Sequence, residues 1–170
     1  MDPGDGRFTF ALTPEWGRFL DPSYNQLTAQ DLAAAGQQLL FLLRFDAREC
    51  DPYLGFSELR DLDLLASSTW TSRGWSAIRS PVVEQRATKS NGVVVGPPRI
   101  TLVGGERAVL LSFTSNVPGF RVHNAELWIP HRGAWFVVGF NVTHREDPGT
   151  WFDSLFPNVQ AIMATWRWQA

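Results

Sequence analysis

Between Val82 and Thr143 the chain repeats one pattern: a strand-like run, then a turn signal. The runs are Val82–Thr88, Ile100–Val103, Glu106–Ser115, Arg121–Ile129 and Ala134–Thr143, and the breaks are Asn91-Gly92, Pro97-Pro98, Gly104-Gly105, Pro118-Gly119 and Gly133. Successive side chains of a strand point to opposite faces, while Gly, Pro and Asn pairs turn the chain. Short strands at this spacing predict a meander of antiparallel strands.

The stretch ELWIPHRGAWFVVGFNV, Glu126 to Val142, fixes the faces. Phe136, Val138, Phe140 and Val142 form one row of large apolar residues and are expected to face the core. Trp135, Val137, Gly139 and Asn141 form the other, mixed row. Leu127-Trp128-Ile129 reads as the antiparallel partner, joined through a short Pro130-His131-Arg132-Gly133 loop. In a two-layer arrangement one sheet face is fully covered, so the Trp135 row is expected to be partly exposed, or covered only by the 13–28 and 70–80 loops. With Trp128 and a rim of Arg132 and Asn141 it would then make an apolar contact patch.

Before the meander, Arg7 to Leu12 alternates as a first strand, and Thr28-Ala29-Gln30-Asp31 has the form of a capping box. Leu39 to Leu43 fits a buried helix or a buried strand by periodicity alone. The alternation of Leu43, Phe45 and Ala47 with Arg44, Asp46 and Arg48 predicts a strand from about Gln38 to Arg48. Ser57 is placed to cap a helix striped by Leu59, Leu62, Leu65/Ala66 and Trp70, ending near Arg73-Gly74. After the meander, Asp147-Pro148 offers an N-cap and a proline at the first helical position. The stripe Phe152, Leu155/Phe156, Val159, Ile162/Met163, Trp166 predicts a closing amphipathic helix, which Pro157 should kink or split. The expected fold is an α+β two-layer sandwich, an antiparallel sheet covered by helices, in a single domain spanning 1–170.

Size and charge narrow the function. A chain of 170 residues buries roughly 70% of its unfolded surface, enough for a core without staples. The lone Cys50 excludes an internal disulfide and a cysteine-based zinc site. A net charge of −2 without a basic run argues against nucleic acid as a partner. The acidic, turn-forming start Met1-Asp2-Pro3-Gly4-Asp5-Gly6 lacks the form of a signal peptide, and the apolar run Ala134 to Phe140 is too short for membrane insertion. A soluble, cytoplasmic protein is expected. Of its 15 cationic residues only Lys89 is not Arg, which points to high-GC coding and a bacterial source.

Signals for catalysis are weak. His123, His131 and His144 lie on strands or hairpin ends without the helical i, i+3 or i+4 partner of a metal site. His144-Arg145-Glu146-Asp147 reads as a solvated loop, with Asp147 used as a cap. Asp46, Glu49 and Asp51 lack the glycine and the spacing of a calcium loop. Gly104-Gly105 precedes no helix, so it is a turn and not a phosphate cradle, and the sequon Asn141-Val142-Thr143 matters only outside the cytosol. No catalytic residue, metal or cofactor is therefore expected. What stands out is eight tryptophans. Trp135 and Trp128 on the mixed face, Trp70 and Trp75 beside a polar stretch, and Trp16 in a loop are the candidate partner-binding residues, since interface anchors favour Trp.

VGGERAVLLSF (Val103 to Phe113), followed by ELWIPHRGAWFVVGFNV, an acidic loop and a last helix ending ATWRW, resembles the second half of the PsbP-like fold. FTFALTPEW (Phe8 to Trp16) resembles its first strand and proline-aromatic turn. That superfamily takes in photosystem PsbP proteins, the yeast Ran-binding Mog protein, DcrB-type and LpqN-type bacterial proteins, and the Eag chaperones of type VI secretion. The resemblance implies a non-enzymatic binding protein, adaptor or chaperone, and carries no family binding residue onto a position here. The alternatives are a small-molecule-binding or hydrolytic α+β cone with a pocket between sheet and helices, and a structural subunit of a bacterial assembly such as a secretion or injection system.

Overall fold

A computed structural model of the chain describes residues 6–18, 37–45, 51–59, 93–94 and 99–170, with helical backbone also at Gln26, Ala29, Gln30 and Ala33. The strands are β1 (Phe8–Thr9), β2 (Trp16–Arg18), β3 (Gln37–Phe45), β4 (Asp51–Leu59), β5 (Val93–Val94), β6 (Arg99–Val103), β7 (Glu106–Val117), β8 (Phe120–His131) and β9 (Ala134–His144); the helix α1 (Pro148–Ala164) and β10 (Arg167–Trp168) follow. Eight strands form one sheet in the order β2-β3-β4-β9-β8-β7-β5, with β6 also paired to β7. All the pairings are antiparallel. β1 and β10 make a separate two-stranded ribbon. The fold is α+β, an antiparallel sheet with α1 packed on it.

The register follows the hydrophobic alternation. Phe136, Val138, Phe140 and Val142 are buried on the face that α1 covers, where Phe140 meets Phe152 at 5.2 Å between ring centroids. Leu155, Val159, Ile162 and Met163 extend the helix side of this core. The ribbon closes its end: Phe8 stacks on Trp166 at 4.1 Å, and Phe10 stacks on Phe56 at 5.1 Å.

Several sequence expectations are corrected. Ser57 and Leu59 belong to β4 and start no helix. β4 is hydrogen-bonded to β3 on one side and β9 on the other, so two ladders outweigh the helical stripe read from spacing. The rest of that expected helix, residues 60–74, and the expected strand Val82–Thr88 lie outside the described residues. So do Asp46, Glu49 and Cys50. The β8–β9 connection is tighter than expected: strand pairing continues through Pro130 and His131, and only Arg132-Gly133 turns. Pro130 costs no ladder bond to β7, because that pairing ends at Trp128 opposite Val109.

Pro157 does not split α1, which runs from Pro148 to Ala164. Both Pro157 and Asp153, whose carbonyl loses its intrahelical donor, lie on the exposed side, where solvent can satisfy that oxygen. The expected cap is present: Oδ1 of Asp147 accepts from the N–H groups of Gly149 (3.0 Å) and Thr150 (3.2 Å). The Thr150 hydroxyl donates to Oδ2 at 2.6 Å. These bonds to Thr150 hold the Asp147 carboxyl below its usual range.

Candidate functional site

The structure brings Trp128 and Trp135 together, edge to face at 6.3 Å, but buries both at 1% exposure. Val137 of the same row is buried as well, whereas Gly139 and Asn141 are half-buried, and the 70–80 loop expected as cover lies outside the described residues. Val109, Leu111 and Phe113 on β7 are buried too. The register puts Val109, Trp128 and Val137 side by side. The second face thus has an apolar field wide enough to be a core face of its own, which a reading of β9 alone misses. Polar side chains on this face bond to one another. Nε1 of Trp128 donates to Glu126 at 3.0 Å, and Nδ2 of Asn124 donates to Ser115 Oγ at 3.3 Å.

Trp16 lies on the opposite face, buried and 6.2 Å from the Phe140 ring. Trp16, Trp128 and Trp135 therefore offer no surface to a partner as packed here. Trp70 and Trp75, with the 70–80 loop, lie outside the described residues.

The histidines take three roles. His123 stacks on Phe152 at 3.9 Å, and burial pushes its imidazole below the ordinary range, against the opposing pull of Asp153. Nδ1 of His144 accepts from the backbone N–H groups of Glu146 and Asp147, so the loop before α1 is a capping structure. His131 lies flat on Trp168 at 3.7 Å and donates from Nδ1 to Glu106 Oε1 at 3.2 Å. Among the described residues no group of three His, Cys, Asp or Glu is placed to hold a metal ion.

Two open features gather at the end of the sheet marked by His131. The first is a cavity of about 330 Å³ lined by Arg7, Glu58, His131, Arg132, Ala134 and Phe136, among others. Nη1 of Arg7 donates to the buried Glu58 at 2.7 Å, and the guanidinium lies 4.8 Å over the Phe136 ring. The separation of Arg7 and Glu58 by 51 positions hides this pair from any local motif.

The second feature is β6. A two-residue turn makes Val103 and Glu106 a hydrogen-bonded pair, and antiparallel alternation then turns the backbone groups of Thr101 and Arg99 toward β7. The N–H and C=O of Ile100 and Leu102 point the other way, where no described strand takes them. Their side chains share one face and are 48% and 66% exposed. The sequence signal for this edge is the short run Arg99–Val103 between Pro97-Pro98 and Gly104-Gly105, which does not tell an edge strand from an inner one.

No protein-family model matches the chain, and no curated protein matches its sequence. Solved structures do. LpqN of Mycobacterium tuberculosis, involved in cell envelope biogenesis, superposes with a TM-score of 0.53 at 15% identity, covering 98% of this chain and 87% of LpqN. A Pseudomonas aeruginosa protein of unknown function, PA94, gives 0.49 at 13% identity, covering 92% and 95%. The chain shares the LpqN fold. No helix among the described residues is long and apolar enough to cross a membrane.

Proposed function

We propose that the protein is a non-catalytic binding protein, an adaptor or chaperone, that holds a partner polypeptide by strand addition along β6. The observation that carries this is the coincidence at Ile100 and Leu102 of outward backbone groups and exposed apolar side chains. An edge of that kind matches another extended chain: main-chain bonds supply affinity and alternate side chains supply selectivity. Exposed edges are also an aggregation liability that proteins usually blunt, and β6 carries no charge between Arg99 and Glu106. The same proposal places the protein in the PsbP-like superfamily, supported by the fold shared with LpqN, and in a bacterial cytoplasm, supported by its single cysteine and Arg-dominated cations.

The test is site-specific photocrosslinking in the native host. A crosslinking residue at Leu102 is expected to trap a discrete partner, and the same residue at the exposed Gln160 of α1 is not. The Ile100→Lys/Leu102→Lys double variant should abolish the trapped species from a neighbouring position while shifting stability by no more than about 0.5 kcal/mol per site. Equal products at both positions would remove β6 as the docking edge.

A further inference from the structure

We propose that the cavity at the β8–β9 turn binds a carboxylate, with Arg132 as the residue that takes it. Three observations converge on this side chain. Arg132 lines the cavity. It is exposed, and no hydrogen bond or ion pair joins it to a described residue. Its backbone sits at φ 46°, in the left-handed region. The first position of a two-residue turn with two positive φ angles favours Asn, Asp or Gly, and an arginine there is strained. Strain kept at the mouth of a cavity, in a side chain with no hydrogen bond or ion pair to a described residue, points to a ligand.

The other walls are already fixed. Arg7 is clamped between Glu58 and the Phe136 ring, and His131 between Trp168 and Glu106. The N–H of Gln169 donates to the carbonyl of Arg7 at 2.8 Å and holds the remaining side. Such a site is preorganised, so a ligand orders mainly the Arg132 side chain.

Charge sets the ligand class. The Glu58 carboxylate is paired with Arg7, whereas the Arg132 guanidinium is paired with no described residue; Ala170 also lines the cavity. A planar monoanion matches a single guanidinium fork. A phosphate dianion would bring more negative charge to the wall that already holds Glu58. Ala134 and Phe136 supply an apolar side for the body of the ligand. The volume falls at the small end of ligand pockets, which suits a compact organic acid or the terminal carboxylate of a peptide.

Calorimetric titration distinguishes these sources with benzoate, acetyl-trialanine acid, acetyl-trialanine amide and inorganic phosphate. Binding of either acid at millimolar or lower concentration is expected, with the amide and phosphate weaker by roughly tenfold or more. Arg132→Asn suits the turn, so its Tm should be unchanged or raised while acid binding falls by a similar factor. Arg132→Lys keeps the charge but loses the fork and should fall between them. If the asparagine variant misfolds, Arg132→Gly serves in its place. Benzoate alone, or the peptide acid alone, supports the site and assigns the source. Failure of both acids, equal binding of acid and amide, tighter binding of phosphate, or acid binding that survives loss of the guanidinium overturns it. The site is independent of β6, so the Ile100→Lys/Leu102→Lys variant should retain it.

Discussion

Gly104-Gly105 and Arg132-Gly133 close two hairpins at the same end of the sheet with nearly the same backbone. The φ angles are 58° and 84° in the first and 46° and 77° in the second. Only their surroundings differ. A Cβ built on Gly104 would lie 2.7 Å from Cδ1 of Trp166 and 2.9 Å from Nε1 of Trp168, so a side chain cannot fit without moving two indoles. Arg132 stands in solvent at the equivalent place. Tertiary packing thus dictates glycine at the first turn, whereas no hydrogen bond or ion pair to a described residue selects arginine at the second. A left-handed conformation costs a non-glycine residue about 1–2 kcal/mol, so retaining arginine there is a cost that folding does not explain.

Removing what presses on Gly104 has the largest effect. Trp166 is fully buried between Phe8 and the turn, and Trp166→Ala is expected to cost about 3–5 kcal/mol in urea unfolding. Next comes Gly104→Ala, at about 2–4 kcal/mol, where overpacking adds to backbone strain. The two are expected to couple: with the Trp166 ring gone, alanine at 104 should cost less than it does alone. Strict additivity would mean that backbone strain alone, and not the indole, keeps glycine at this turn.

The same contrast explains what could be read from the chain. The turns, the order of the last four sheet strands, the Asp147 cap and the buried Phe136/Phe140 row all follow from local alternation and turn chemistry. β4 does not, because Pro52, Gly55 and Glu58 are poor strand residues and only pairing with β3 and β9 makes them one. The second sheet face is half-hidden for a similar reason: a glycine and an asparagine on β9 suggest an open side and are half-buried, while much of its buried apolar area comes from Val109, Leu111 and Phe113 two strands away. The cavity was least legible of all. It joins Arg7, Glu58 and His131 from three distant segments, and Arg132 is distinguished only by a turn of two residues in place of the four-residue loop the sequence suggests.

At the open turn the effects are smaller and separate backbone strain from packing. Nothing lies within 4 Å of a Cβ built on Gly133, so Gly133→Ala should cost only the left-handed term, about 1–2 kcal/mol, and less than Gly104→Ala by the same assay. A penalty equal to that at Gly104 would mean that the two surroundings are not energetically different after all.

Arg132→Asn should go the other way. Asn enters the left-handed region more readily than Arg because its short amide bonds to nearby backbone. No hydrogen bond or ion pair between Arg132 and a described residue is lost in the exchange. A gain of about 0.5–1 kcal/mol in unfolding free energy is expected, the size seen when a residue is matched to its backbone angles. The sign decides the matter. If the asparagine variant is less stable, Arg132 holds the native state through an interaction, and the difference between the two turns is one of packing alone. If it is more stable, the guanidinium is kept against the preference of its own backbone, and its purpose must lie in what enters the cavity beside it.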